Sequence, residues 1–149
     1  MKLITTYKIK MLEYPTIFVM CIGYFFWLIA IYLRLYYSIH YVFTISLSSL
    51  GVYTLFTPLH EAVHSNISSH KLINNIVGNM AIVPFFFANF ETFKYIHLQH
   101  HSHTNKLLLD PDSFSRFGWI SCIGMFIHYN YYYINVMCKK YTFNNNMLY

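Results

Sequence analysis

Charged side chains are scarce in this sequence. Only 10% of its 149 residues are Asp, Glu, Lys or Arg, whereas soluble domains carry about 25%. Because the chain is also 56% hydrophobic, it is neither an ordinary soluble domain nor a disordered segment. Cysteine is rare as well, and Cys21, Cys122 and Cys138 form no CxxC pair. This excludes a disulfide scaffold and leaves buried free thiols as the interpretation.

A dense basic patch is also missing. The ten lysines and arginines leave a formal charge of +5, but they are scattered along the chain and lie mostly at the edges of apolar runs. This distribution argues against nucleic acid as a partner. It is typical of a protein embedded in a bilayer that contains anionic lipids.

Long uncharged runs are what the sequence has instead. Residues 14–33 are uncharged, and at 1.5 Å per residue they are long enough to cross a hydrocarbon core of about 30 Å. No signal-peptide cleavage site follows them. We predict a second span at 41–59, joined to the first in a helical hairpin, and a third at 117–138, which ends at Lys139 and Lys140.

The segment between the second and third spans is less uniform. The uncharged run 72–90 contains three asparagines and Pro84, which are costly in lipid, so an interfacial or re-entrant segment fits at least as well as a span. Thr57 and Pro58 resemble a helix N-cap and a first-turn proline. They predict a bend or a new helix just before His60. The predicted fold is an all-α integral membrane protein with about three transmembrane helices, plus interfacial helices that carry the polar motifs.

Nine histidines stand out against five carboxylates. The motif HEAVH, residues 60–64, places His60 and His64 on one helical face, because positions i and i+4 are neighbours there. The motif HLQHH, residues 97–101, does the same for three more histidines. Asn89 and Glu91 are a plausible start for the helix that carries it.

Imidazoles packed together are unfavourable unless something binds their lone pairs, and a metal ion does so. Imidazole suits zinc, copper, iron and nickel. HEAVH by itself fits a membrane zinc metalloprotease with Glu61 as general base. Five histidines, however, exceed one open tetrahedral site, and five carboxylates are too few for a glutamate-rich di-iron bundle. An all-histidine site for two iron ions fits the residue supply better.

The segment 59–112, with HEAVH, HLQHHSHTN and Asp110-Pro111-Asp112, resembles the membrane fatty acid desaturase and hydroxylase superfamily. The last two motifs also resemble its carotenoid hydroxylase and ketolase branch. The resemblance implies O2-dependent desaturation or hydroxylation of a fatty acyl chain or another long apolar substrate. It further implies two iron ions held by the histidine boxes at the cytoplasmic surface, and electrons from a separate donor of ferredoxin or cytochrome type.

The resemblance also implies roles for particular residues. The implied iron ligands are His60, His64, His97, His100 and His101. His103 is an additional candidate ligand, and Glu61, Asp110 and Asp112 are candidates for orienting imidazole N–H groups. For the two aspartates, a turn and a helix cap are an equally good interpretation.

Two further expectations concern the chain as a whole. Lys2, Lys8 and Lys10 predict a cytoplasmic N-terminus, and two crossings return the histidine-box region, 60–112, to the same side. The family has a third box, a further HxxHH after a second membrane hairpin, whereas here only His128 follows His103. We therefore expect one desaturase-like domain over 1–149 that is truncated: a fragment, an inactive relative, or half of a two-iron site that another chain completes.

Overall fold

The computed structural model describes residues 12–85, 89–106 and 109–113, together with a few isolated positions up to Cys138. The described residues form four α-helices and no strand, which confirms the all-α class. The helices are α1 (Tyr14–Tyr37), α2 (Tyr41–Val63), α3 (Lys71–Ala81) and α4 (Phe90–His103), with a 3-10 turn at Val83–Phe85.

The chain divides into two compact units, Met1–Phe86 and Phe87–Tyr149. The first contains α1, α2 and α3, and the second contains α4. The single desaturase-like domain over 1–149 stays a prediction. The third predicted span, 117–138, and the tail after it lie outside the described residues, apart from isolated positions.

Helices α1 and α2 are the two described helices long and apolar enough to cross a membrane. They contain the predicted spans and extend each of them by four residues at its C-terminal end. The link between them is short, as predicted. Ser38 ends α1 in a left-handed conformation with φ 51°, and the Nδ1 atom of His40 accepts a hydrogen bond from the N–H of Val42 at the start of α2.

The two helices cross closely at a pair of glycines. A Cβ atom added to Gly51 would lie 2.6 Å from the backbone nitrogen of Trp27 and 2.7 Å from the carbonyl oxygen of Gly23. A Cβ atom on Gly23 would lie 2.7 Å from Cγ of Leu55. Small residues of this kind allow helix backbones to approach within van der Waals contact, which is the main source of packing energy between membrane helices.

Helix α2 continues through Pro58 to Val63, so of the two predicted alternatives the new helix before His60 is wrong, and the bend stays a prediction. Proline removes one backbone hydrogen bond and favours a helix start. Here tertiary packing outweighs that local preference, because Pro58 and Leu59 are fully buried within the α1–α2 unit. The first histidine motif is therefore a direct extension of the second apolar helix.

Helix α3 has eleven residues and is about 16 Å long at 1.5 Å per residue. It ends at Ala81, so a single helix over 72–90 does not form and that run is not a continuous helical span. The choice between an interfacial and a re-entrant segment stays open. The buried residues of α3 include Asn74, Val77 and Gly78, which lie on one face of the helix.

The glycine crossing predicts a specific stability defect. Replacing Gly51 by alanine should lower the unfolding free energy of the α1–α2 hairpin in detergent micelles by about 1–3 kcal/mol, the usual cost of overpacking. The reason is that the new methyl group meets the Trp27 backbone, which has no rotamer to move away. Circular dichroism during titration with a denaturing detergent measures the change. Ser46→Ala, at an exposed position of the same helix, is the control; equal stabilities would contradict a close crossing.

Candidate metal centre

The first histidine pair lies at the C-terminal end of α2. His60 is in the last turn and His64 is the residue that caps the helix. Their ring centroids are 4.6 Å apart, and a ring nitrogen of each lies within 4.8 Å of one on the other. The predicted i, i+4 pairing on one face is thus what the structure has.

Glu61 faces His60 through its side chain. Oε1 of Glu61 lies 3.2 Å from Nδ1 of His60, and Oε2 accepts a hydrogen bond from Nδ2 of Asn66 at 2.9 Å. The backbone N–H of Asn66 also donates to the carbonyl oxygen of Glu61. Asn66 was not predicted from the sequence, and it reaches Glu61 because Ser65 turns the chain with φ 58°.

The loop after the first motif is organised by one buried amide. Asn74 is only 1% exposed, and its Oδ1 accepts from the N–H groups of Ile67 and Ser68 at 3.1 and 3.3 Å. Its Nδ2 donates to the carbonyl oxygens of Ser68 and His70 at 2.7 and 3.0 Å. The sequence predicts that this asparagine is costly in lipid. Its four hydrogen bonds within the protein offset that cost.

The same loop is tied to the beginning of α1. The N–H of Glu13 donates to the carbonyl oxygen of Ile67 at 2.7 Å. Because α1 and α2 form a hairpin with a short link, the start of α1 and the end of α2 lie at the same end of the unit. His60 and His64 are therefore at the end of the hairpin where the chain enters it.

Helix α4 carries the second motif and begins as predicted. Oδ1 of Asn89 accepts a hydrogen bond from the N–H of Thr92 at 2.9 Å, which caps the helix. Nε2 of His97 and Nε2 of His101 lie 3.0 Å apart, and the ring of Phe93 stacks on His97 with centroids 5.8 Å apart. Ligand nitrogens at about 2.0–2.1 Å from one metal ion are themselves about 2.9–3.4 Å apart, so this pair has the spacing of two ligands.

The imidazole of His100 is held at Nδ1, which leaves its other ring nitrogen, Nε2, uninvolved in this contact. Its Nδ1 lies 2.8 Å from Oδ1 of Asp110 and 3.5 Å from Oδ2 of Asp112. Asp110 is only 3% exposed, and its carboxylate also accepts hydrogen bonds from the backbone N–H groups of Asn105 and Asp112, each at 2.8 Å. A hydrogen bond at Nδ1 leaves Nε2 as the nitrogen that can bind a metal.

The surroundings of Asp110 favour its ionised form. Burial alone raises the pKa of this carboxyl group, but the hydrogen bond from His100 and those from the two backbone N–H groups outweigh burial. The pKa of Asp110 therefore lies below its ordinary value, and the side chain is a carboxylate at neutral pH. His103 differs from the other histidines of α4, since its Nδ1 donates to the carbonyl oxygen of Gln99 on its own helix.

The chemistry of these side chains fits a transition-metal ion, iron included. Imidazole nitrogen is a good ligand for iron, zinc and copper, and carboxylates at Nδ1 are the usual partners of metal-binding histidines. Each unit by itself contains side-by-side imidazoles and one histidine, His60 or His100, with a carboxylate at its Nδ1. From the sequence, these histidines are candidate ligands and Asp110 and Asp112 are candidates that orient imidazoles, whereas the different distances of the two aspartates from His100 and the contact of Asn66 with Glu61 follow only from the structure.

Comparison with known proteins identifies relatives. The family described as fatty acid desaturase matches residues 36–144, a stretch that includes both histidine motifs. A beta-carotene 4-ketolase of Protosiphon botryoides is 34% identical over 59 residues, which is 39% of this chain and 15% of the ketolase. An omega-6 fatty acid desaturase of spinach chloroplasts (Spinacia oleracea) is 37% identical over 51 residues, or 34% of this chain and 11% of the desaturase.

A beta-carotene ketolase of Haematococcus lacustris is similarly related, at 33% identity over 59 residues, 39% of this chain and 18% of the ketolase. The matched segments thus cover less than a fifth of each of these relatives. No solved structure matches the chain significantly.

The hydrogen bonds of the buried Asn74 amide predict what happens to the loop after the first motif when this side chain is removed. In Asn74→Ala, the N–H groups of Ile67 and Ser68 lose their acceptor, so their hydrogen exchange in detergent micelles should accelerate by about ten- to a hundredfold, which corresponds to about 1–3 kcal/mol for unsatisfied buried groups. Asn79→Ala is the matched control, because Asn79 is an exposed asparagine on the same helix that bonds only within it. Equal exchange in both variants would show that the loop does not depend on Asn74.

Proposed function

The chain belongs to the fatty acid desaturase family, and from this premise we propose that it is a membrane di-iron oxidoreductase that acts on a fatty acyl chain in lipid metabolism. The observation that carries the proposal is the donor set. Two imidazoles of α4 have Nε2 atoms 3.0 Å apart, and a third, that of His100, has its Nδ1 held by a buried carboxylate. Both features are expected of histidines that bind a metal ion, and they support the proposal.

The proposed iron ligands are the five histidines of the two motifs: His60, His64, His97, His100 and His101. Two iron ions held there would supply the activation of O2 that an unactivated C–H bond requires, since side chains offer no such chemistry. The chain itself contributes orientation. Glu61 and Asp110 hold Nδ1 of His60 and His100 and leave Nε2 available, and Phe93 keeps the ring of His97 in place by stacking.

The membrane setting is supported by the surfaces of α1 and α2. Large apolar side chains are exposed along both helices, among them Phe18, Leu35 and Tyr53 at 66–79%. A patch of this extent is unfavourable in water and favourable in lipid. With the hairpin in the bilayer, the first motif lies at a membrane surface, where an acyl chain can approach it without leaving the apolar phase.

The proposed orientation places the N-terminus and both histidine motifs in the cytoplasm. It is supported by the lysines before α1, because positive charge is retained on the cytoplasmic side. A soluble or membrane-bound donor of ferredoxin or cytochrome type would supply the electrons there. Because the matched segments are a small part of each relative, we further propose that residues beyond these two motifs, in this or another chain, complete the two-iron site.

A carotenoid ketolase or hydroxylase function is the second candidate. It is favoured by the two ketolases, which are similar to this chain at about the same level of identity as the desaturase. The two candidates share their iron chemistry and differ in substrate and product. Mass analysis of lipids from cells that express the chain separates them, because desaturation removes H2 from an acyl chain whereas ketolation adds oxygen to a carotenoid.

The iron proposal is tested by metal binding. Protein purified without oxygen and loaded with Fe(II) should bind iron through the histidines of α4. His97→Ala and His101→Ala should each weaken binding by more than about tenfold, since losing a group that merely orients a ligand already has an effect of about that size. His70→Ala, outside both motifs, is the control. Tight zinc binding with no iron binding would overturn the proposal and favour the zinc metalloprotease that HEAVH alone suggests.

The orientation is tested by cysteine labelling in a background without Cys21, Cys122 and Cys138. Ser65→Cys at the histidine-motif end and Ser38→Cys in the hairpin link are well matched, because both positions are exposed and both have a positive φ. A membrane-impermeant maleimide added to spheroplasts should label the cysteine at 38 and leave the one at 65 unlabelled until the membrane is opened. The reverse pattern would place the motifs on the outer side.

A further inference from the structure

We propose that Asp110 is a positioning residue that fixes the ring of His100 so that iron binds through Nε2. The inference rests on the proposed function, since it concerns one ligand of the proposed iron site. It goes further by separating two aspartates that the sequence treats alike: Asp110 makes the short hydrogen bond to the ligand, and Asp112 lies farther from the same nitrogen.

The first argument is the cost of a buried carboxylate. An ionised side chain that is 3% exposed is strongly unfavourable unless its oxygens are fully hydrogen-bonded. Oδ1 of Asp110 accepts from Nδ1 of His100 and from the N–H of Asp112, and Oδ2 accepts from the N–H of Asn105, all at 2.8 Å. Because both oxygens are engaged, the carboxylate has little freedom to turn, and the imidazole that it holds has little as well.

The second argument is the path of the chain after α4. Asn105 adopts a left-handed conformation with φ 64°, and the N–H of Lys106 donates to the carbonyl oxygen of His103. The N–H of Asp110 then donates to the carbonyl oxygen of Lys106 at 3.0 Å. This turn brings Asp110 back beside the last turn of α4, where His100 lies, and Pro111 is fully buried next to it.

The third argument is the contrast with Asp112. Its Oδ2 is 3.5 Å from Nδ1 of His100, and its side chain is 32% exposed. At that distance it adds negative charge near the ring but makes no good hydrogen bond to it. Asp112→Asn is therefore a matched control, because it removes the same charge two residues away and keeps the N–H that Asp110 accepts.

A purely structural role for Asp110 makes a different prediction. The hydrogen bond from the N–H of Asp112 to Oδ1 closes a turn that asparagine also forms. Asp110→Asn keeps an oxygen for this turn and for the Nδ1 proton, but it removes the negative charge that favours this proton and places an NH2 group where Oδ2 accepts from the N–H of Asn105. If Asp110 only shapes the loop, this variant should behave like the native chain at His100.

The experiment uses the full chain in detergent micelles at neutral pH, with histidine labelled with nitrogen-15. In the metal-free native chain, the NMR signals of His100 should show the proton on Nδ1. In Asp110→Asn this preference should weaken, because a neutral amide oxygen is a poorer acceptor than a carboxylate, and the affinity for Fe(II) should fall by about 10–100-fold, the usual effect of removing a carboxylate partner of a ligand histidine. In Asp112→Asn, the proton should stay on Nδ1 and the affinity should change far less.

Two results would overturn the proposal. One is a His100 proton on Nε2 in the metal-free native chain, which requires no variant and so does not depend on the folding of Asp110→Asn. The other is an equal tautomer and an equal affinity in Asp110→Asn and the native chain. Failure of the proposed function looks different: the native chain would then bind no iron at all, while the tautomer measurement would still decide whether Asp110 holds His100.

Discussion

Polar backbone groups at the ends of helices need hydrogen-bond partners, and this requirement shapes both histidine motifs. The last carbonyl groups of a helix lack partners within it and take them from the residues that follow. After α2, three of these carbonyl oxygens accept hydrogen bonds from the backbone N–H groups of residues 64–66. After α4, those of His100 and His103 accept from the hydroxyl group of Thr104 and from the N–H of Lys106. Asn74 and Asp110 then fix the loops that follow by binding their backbone groups.

The positions of the histidines at the helix ends have an electrostatic consequence. His60 lies in the last turn of α2, and His100 and His101 lie in the last turn of α4. The C-terminal end of a helix carries a partial negative charge that favours cations. Both motifs thus combine imidazole nitrogens with a local field that suits a metal ion, and the nearby carboxylates Glu61 and Asp110 add to it.

The parts of the fold that sequence reasoning predicted are those that depend on length and period alone. Uncharged runs predict α1 and α2 because bilayer thickness sets a minimum number of residues, and the spacing of His97, His100 and His101 predicts one helical face. The new helix predicted at Pro58 does not form, since the local preference of proline for a helix start is outweighed by the burial of this residue. A local sequence pattern carries no information about tertiary packing, and tertiary packing decides where this helix ends.

The aspartates show where sequence reasoning ends at the site. Asp110 and Asp112 are two residues apart and chemically identical, yet only the former is buried against His100. The difference arises from the left-handed turn at Asn105 and from the backbone N–H groups that it directs at one carboxylate. Asn66 is a similar case, because its contact with Glu61 requires the positive φ of Ser65. Ser65 and Asn105 tolerate a positive φ but do not require it. The contacts of Asn66 and Asp110 therefore cannot be predicted from the spacing of these residues in the sequence.

The glycine crossing connects the fold to the proposed chemistry. Because Gly23 and Gly51 bring α1 and α2 into backbone contact, the hairpin is held as a unit and its open end is set by the bond between Glu13 and Ile67. That end carries His60 and His64. A looser hairpin would let α2 slide or rotate against α1. A rotation by one residue, about 100° on a helix, would turn the face that carries both imidazoles in another direction. The direction in which the first motif presents its proposed metal ligands therefore depends on residues well inside the apolar part of the chain, which carry no reactive group.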